Sequence, residues 1–379
     1  MNPFESPAFF LAAAVLAVPA IGLGLAQKPL RHWTLASSLV MAALYGLWFP
    51  VQGAWLLGTV VWFLALARGH LAFRRWAGAR HGWEKKAAVV LALAPLAAVK
   101  LAGPVGLGTI GFLGVSYITF RLVQVVVETS DGLITALPLG QTLSFLIFFP
   151  SLSSGPIDRS RRFAVDAATT WTRAEYVELL KVGLSRFVLG FFYKFVVAAL
   201  FAVWLRSLPR DAHLVAMYAY GGDLFFDFAG YSLMAVGLGM VFGVRTPMNF
   251  RLPFVAESIK DFWQRWHITL SFWLRDYVYT RLLMALLKRT KLGPEHGNRI
   301  ALMVNMLVMG AWHGLEAHYL LYGAYHGVLM VLTDWWQKKS GFHALHHKAT
   351  WYRVVSIVVT AHLVLFGFLV FSGRLTARS

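Results

Sequence analysis

The sequence contains no cysteine. Disulfides, thiolate nucleophiles and cysteine-bound metal are therefore excluded, and any catalysis must rest on histidine, carboxylate, serine or tyrosine. Acidic residues are scarce, 17 Asp and Glu against 35 Lys and Arg, for a formal charge of +18. The cations fall in short segments between apolar runs rather than on one face. That distribution points away from nucleic acid and toward positive-inside bias, anionic lipid or a negatively charged cytoplasmic protein partner. The G-x-S-x-G elbow, the P-loop, the G-x-G-x-x-G fingerprint and the H-E-x-x-H zinc pattern are missing too. Serine-triad hydrolysis, nucleotide chemistry and zinc-protease chemistry thus lack support. With no long linker, low-complexity tract or internal repeat, residues 1–379 read as one domain.

What is present is apolar surface beyond the capacity of a soluble domain: 58% hydrophobic residues, with 15 Trp and 29 Phe. Runs long enough to cross a bilayer recur from end to end, which predicts an all-α polytopic membrane protein. The first, residues 8–26, has no Lys or Arg before it and Lys28 and Arg31 after it, so it reads as a retained span with its N-terminus outside. Spans at 35–48 and 51–67 lead to Arg68, Arg74, Arg75, Arg80, Lys85 and Lys86, a cytoplasmic loop by charge. Two more stretches follow, 87–99 and 105–127, broken at Gly103-Pro104.

Residues 142–149 are too short to cross, and 150–162 hold Pro150, Gly155 and Pro156. This predicts a half-helix that enters the protein and returns through a loop, with Arg159, Arg161 and Arg162 either a solvated anchor or a contact to a charged ligand. Residues 176–205 read as an amphipathic turn and a span. Residues 213–244 hold Asp227, expected as a buried hydrogen-bonding or helix-pairing group, and Gly237, Gly239 and Gly243, which permit close helix contact. After 319–334 come a basic, His-rich loop at 338–348 and a last span at 354–371. Arg374 and Arg378 suggest a cytoplasmic C-terminus, hence an odd number of crossings, about eleven.

Two polar interruptions carry the chemistry, Phe262 to His267 and Met309 to Gly314, each pairing histidine with tryptophan where an ionisable group is costly. On a continuous helix Lys260, Gln264, His267 and Ser271 would share one face, with Asp261 and Arg265 paired beside it. Alternatively Trp263, Trp266 and Trp273 are interfacial anchors and His267 a packing residue. Asn305, Met309 and His313 fall on one helix face, and Gly310 and Gly314 leave room beside it for a neighbouring backbone or a substrate chain. A metal reading would use His313 with His318, and His343 with His346 and His347, but too few ligands converge for a di-iron site and no metal is expected. What remains is an intramembrane general base without its own nucleophile, suited to direct acyl transfer between two substrates. A transporter relaying protons through the histidines is the alternative from another class.

These strings resemble the membrane-bound O-acyltransferase (MBOAT) family, and within it the branch that D-alanylates teichoic acids. The likeness is carried by residues 150–163, 225–237, 249–283, 305–327 and 366–373. In polysaccharide O-acetyltransferases of the family an acid usually follows Gly-Tyr-Ser; here Leu233 follows Gly230-Tyr231-Ser232. O-acetylation of an extracytoplasmic polysaccharide or peptidoglycan is the rival activity. The resemblance implies a ring of about eleven transmembrane helices, with re-entrant and interfacial helices, around a central tunnel. It implies a bacterial cytoplasmic-membrane enzyme with no permanently bound cofactor. Its donor would be D-alanine on the phosphopantetheine of an acidic cytoplasmic carrier protein. Its acceptor would be a hydroxyl of a cell-envelope polymer or of a small membrane relay protein. His313 would be the base and His267 would orient substrate, helped by Trp312 and Asn305, with Trp266, Ser271 and Asp227 near the tunnel. Carrier docking would fall on Leu282, Leu283 and Met284 between Arg281 and Lys288-Arg289.

Overall fold

A computed structural model describes residues 6–78, 82–102, 111 and 114–376. Arg80, the Gly103-Pro104 break with Val105, and Arg378 fall outside them. Among the described residues the regular structure is helical: α1 (Pro7–Leu25), α2 (Arg31–Trp48), α3 (Pro50–Ala77), α4 (Gly82–Ala102), α5 (Val115–Ser130), α6 (Leu139–Leu146), α7 (Ser160–Ala168), α8 (Arg173–Phe192), α9 (Ala199–Ser207) and α10 (His213–Val241). The second half adds α11 (Ile259–Trp263), α12 (Ile268–Leu274), α13 (Thr280–Arg289), α14 (Pro294–His313), α15 (Ala317–Lys339), α16 (Gly341–His346) and α17 (Thr350–Phe371). Among the described residues five segments are both long and apolar enough to cross a membrane: α1, α3, the stretch Arg173–Ser207 that holds α8 and α9, α10 and α17. The chain divides into two compact units, Met1–Gly190 with Tyr231–Pro247, and Phe191–Gly230 with Met248–Ser379.

In the first unit, Pro50 ends α2 and begins α3, because the residue before proline is driven out of the α region; Phe49 has φ −138°. Arg74 and Arg75 close α3 and Glu84 opens α4, charges that suit those helix ends. Arg74 pairs with Glu84 at 2.9 Å and Lys85 with Asp131 at 2.7 Å, which gathers the charged ends of α3, α4 and α5. The expected half-helix is α6, followed by a 3₁₀ turn at Phe149–Ser151 that accommodates Pro150 in its first turn, then irregular backbone up to α7.

That loop is held by a residue the sequence pattern does not single out. Arg121 of α5 is 1% exposed. Its guanidinium donates to the carbonyls of Phe145 and Leu146 at 2.7 Å and of Ser151 at 2.9 Å, and to Ser151 Oγ at 2.8 Å. Tyr231 adds a hydroxyl contact to Ser153 Oγ at 2.8 Å and accepts from the Ser154 amide at 3.0 Å. Buried non-helical backbone needs such partners. Arg161 and Arg162 are also engaged internally, Arg161 with Glu128 at 3.3 Å and Arg162 with Asp158 and Asp166. Burial alone would raise the Asp166 carboxyl, but hydrogen bonds from Arg245 and the Arg162 charge hold it below the usual carboxylate range.

In the second unit α14 and α15 form a hairpin closed by glycine. A Cβ on Gly323 would lie 2.7 Å from Met306 O and 3.2 Å from Gly310 Cα, so only glycine lets the two backbones approach this closely. The room at Gly310 is thus filled by backbone, the first of the two occupants expected, while that at Gly314 is filled by the side chains of Glu316 and Tyr319. α13 lies on α14, with Leu283 and Leu287 over Gly297. The 338–348 segment is not a loop: Ser340 caps α16, its side chain accepting from the His343 amide at 3.1 Å.

A cytoplasmic C-terminus does not agree with this unit. α15 carries the chain from Ala317 to Lys339 and α17 returns it, so Phe371 packs on His313 and Tyr319. Arg374 then donates to the carbonyls of Pro209 and Arg210, between α9 and α10. The basic residues Lys288, Arg289, Lys338 and Lys339 gather at the other end of the hairpin, where Lys339 pairs with Glu295 at 3.0 Å. Positive-inside bias selects that denser basic face as cytoplasmic. The C-terminal turn lies at the end of this unit opposite that basic cluster, so the charge of Lys288, Arg289, Lys338 and Lys339 argues against the placement expected from Arg374 and Arg378.

Candidate functional site

The continuous polar helix through Lys260 and Ser271 is broken. α11 ends at Trp263, a turn follows, and His267 takes a left-handed conformation, φ 42° and ψ 51°, before α12 begins. Such a backbone costs a non-glycine residue on the order of 1–3 kcal/mol and persists where its surroundings fix it. Here the flanks are tied: the Ile268 amide donates to Asn249 O at 2.9 Å, the Arg251 amide to Arg265 O at 3.0 Å, and Thr269 Oγ1 to Asn249 Oδ1 at 2.6 Å. The Asp261–Arg265 pair forms at 2.7 Å.

The break turns His267 away from its supposed stripe and into the unit, where it is 3% exposed. Its ring stands edge-on to Phe228 at 4.7 Å and lies 6.0 Å from the Trp312 ring. Trp312 in turn is 4.4 Å from His313, and His313 is 4.7 Å from Phe371. One indole therefore links the two histidines. His267 Nε2 has no hydrogen-bond partner among the described residues. His313 is the last residue of α14, where the helix ends against the extended Gly314, and it is less buried than His267.

A cavity of about 490 Å³ runs along α14 and is walled by Lys260, Gln264, Ser271, Asn305, Met306 and Met309 among others. Lys260, Gln264 and Ser271 thus do face one space, as the stripe requires, and Asn305 and Met309 face it from α14. Ser271 Oγ donates to Trp266 O at 3.1 Å. Met309 is one helical turn short of His313.

Other residues lie elsewhere. Trp266, 5% exposed, stacks on Phe262 at 5.6 Å and packs against Phe250 at 5.0 Å and Phe368 at 4.7 Å, so it belongs to an aromatic core. Trp263 and Trp273 are also buried, which corrects their reading as interfacial anchors. Asp227 pairs helices, bonding Lys194 of the π-turn between α8 and α9, but it is not buried: its side chain is 50% exposed and that of Lys194 5%. On α13, Met284 is exposed while Leu283 is turned onto α14, so the three-residue apolar patch is not all on the outside; Leu282 is half-buried and Arg281 lies over the Tyr277 ring at 5.8 Å. His343 Nδ1 meets the Tyr352 hydroxyl at 2.9 Å, and His347 Nδ1 meets the carbonyl of Ala344 at 3.1 Å.

Sequence reasoning passed over His326. It is 0% exposed, and neither ring nitrogen has a hydrogen-bond partner among the described residues. It packs against Tyr322 at 4.6 Å and Trp263 at 5.2 Å, with α17 approaching at Gly367. The i, i+4 spacing of Tyr322 and His326 beside Gly323 and Gly327 was the available signal.

The second unit thus places two histidines on either side of one indole, beside a cavity whose wall reaches Met309, one helical turn from His313. The chain belongs to the membrane-bound O-acyltransferase (MBOAT) family, whose sequence profile it matches over residues 27–369. It is 38% identical over 394 residues to the teichoic acid D-alanyltransferase of Bacillus subtilis, covering 99% of this chain and 98% of the relative. It is 34% identical over 407 residues to the teichoic acid D-alanyltransferase of Streptococcus thermophilus, covering 99% and 96%. A probable alginate O-acetylase of Pseudomonas syringae is 32% identical over 274 residues, which are 69% of this chain and 49% of that protein. The protein is a membrane-embedded acyltransferase.

Proposed function

We propose that the protein transfers D-alanine from the phosphopantetheine thioester of an acidic carrier protein to a hydroxyl of a cell-envelope polymer of the teichoic-acid type, or of a relay protein, across the bacterial cytoplasmic membrane. The observation that carries this reading is similarity spanning almost the whole of two teichoic acid D-alanyltransferases, against about half of an alginate O-acetylase. The carrier would meet the basic face at α13, and its arm would follow the cavity beside α14.

His313 acts as general base. Its imidazole takes the proton of the acceptor hydroxyl while the oxygen attacks the thioester carbonyl; the C–O bond forms, the C–S bond breaks, and the imidazolium returns the proton to the leaving thiolate. His267, fixed by its left-handed backbone, orients the acyl group through Trp312, and Asn305 lines the approach. Reconstituted protein given labelled D-alanyl carrier or an acetyl donor tests the reading. Transfer from the D-alanyl carrier alone is expected; transfer from the acetyl donor alone overturns it in favour of O-acetylation.

A further inference from the structure

The cavity along α14 has two unlike ends. Toward Met309 its walls mix sulfur and indole with uncharged polar groups, Met306 and Trp263 beside Asn305 and Gln264. At the other end one carboxylate holds two ammonium groups. Asp334, 9% exposed at its side chain, accepts from Lys260 Nζ at 2.5 Å, from Lys338 Nζ at 2.9 Å and from Asn298 Nδ2 at 3.0 Å. Tyr279 donates to Asn298 Oδ1 at 2.6 Å and fixes that amide.

Lys260, Asp334 and Lys338 together carry one net positive charge. Asp334 gathers two cations that would otherwise repel, without cancelling them. Their side chains remain 27% and 51% exposed, and an ammonium has three donors, so each keeps N–H groups for a ligand. Arg275, also on the wall, is already paired with Asp276 at 2.8 Å.

Length supplies a second constraint. Asn298 and His313 are separated by fifteen residues of one helix, about 22 Å of rise. A donor with its anionic end at Asn298 and its reactive carbonyl at His313 must be a long extended chain, which a phosphopantetheine arm is and a small acyl phosphate is not. The geometry points to Lys260 and Lys338 as a phosphodiester subsite at the mouth of the donor cavity, held open by Asp334 and selecting the phosphate of the acylated arm. This rests on the carrier-donor reading above.

The test uses the full chain in zwitterionic nanodiscs, with labelled phosphopantetheinyl carrier displaced by 4′-phosphopantetheine or by pantetheine, which differ only in the phosphate. Wild type is expected to bind the phosphorylated compound about tenfold better. Lys260→Gln with Lys338→Gln should abolish that preference, and Lys338→Arg should keep it. Because Lys338 is half exposed, Lys338→Gln alone serves if the double variant does not fold, with a partial loss expected. A wild type that binds carrier without preferring the phosphate, or a double variant that keeps the preference, overturns the subsite and leaves the carrier reading intact. A double variant that instead loses co-purifying anionic lipid, its preference unchanged, makes the site a lipid headgroup site and also overturns it. A wild type that binds no carrier overturns the carrier reading itself.

Discussion

At the scale of single residues, Arg121 and His267 have the strongest structural consequences. Arg121 is a lone cation in an apolar helix, and its fork closes the carbonyls of a buried, irregular segment. Replacing Arg121 by Met leaves those carbonyls without donors. A loss of about 3 kcal/mol is expected, since hydrogen bonds from a charged group contribute roughly 1.5–3 kcal/mol each and the freed oxygens are buried. A lowered thermal midpoint in detergent checks it; an unchanged midpoint contradicts it. Neither this role nor the turn at His267 was legible in the sequence. Histidine enters the left-handed region more readily than most residues, but nothing local singles out His267 for it, and helical spacing from Lys260 to Ser271 argued for a continuous helix.

At the scale of elements, α13 combines two functions that composition alone blends together. Leu283 packs on α14 at Gly297, while Met284, Lys288 and Arg289 are exposed. Leu283→Ala should therefore cost about 2 kcal/mol of stability, at the low end for a partly buried leucine, and lower the thermal midpoint. Met284→Asp with Lys288→Glu and Arg289→Glu should leave the midpoint in place and weaken carrier binding about tenfold in a pull-down titration. The reverse pattern would remove α13 as a docking surface. The room beside His313 was legible, because Gly310 and Gly314 announce it, but that α15 fills it through Gly323 was not. The inward face of α13 is hidden when Leu282, Leu283 and Met284 are read as one consecutive patch; Leu282, Leu283, Leu286 and Leu287 recur at i, i+1, i+4 and i+5 on one side of the helix, and Met284 falls outside that stripe.

At the scale of the whole molecule, the apolar runs gave most helices to within about five residues, since hydrophobic length is read directly by the bilayer, but α3 continues past 67 through a basic stretch to Ala77 and α5 begins at Val115 rather than 105. The side of the membrane on which each end emerges depends instead on where the chain turns back. Arg374 looked cytoplasmic by its charge, yet it is bound to Pro209 and Arg210 at the end of the second unit opposite Lys338 and Lys339. The absence of cysteine makes this testable without removing any residue first. Single Thr290→Cys and Thr376→Cys variants should react with an impermeant thiol reagent from opposite faces of sealed vesicles. Reaction of both from one face contradicts the topology.

The central claim is that His313, at the end of α14 and joined to His267 through Trp312, is the base for acyl transfer. The most direct measurement is D-alanyl transfer from labelled carrier in proteoliposomes, comparing wild type with His313→Ala at equal thermal midpoint and equal carrier binding. The account predicts a fall of at least about 100-fold in transfer with binding retained. Transfer at the wild-type rate by a folded His313→Ala protein would contradict it.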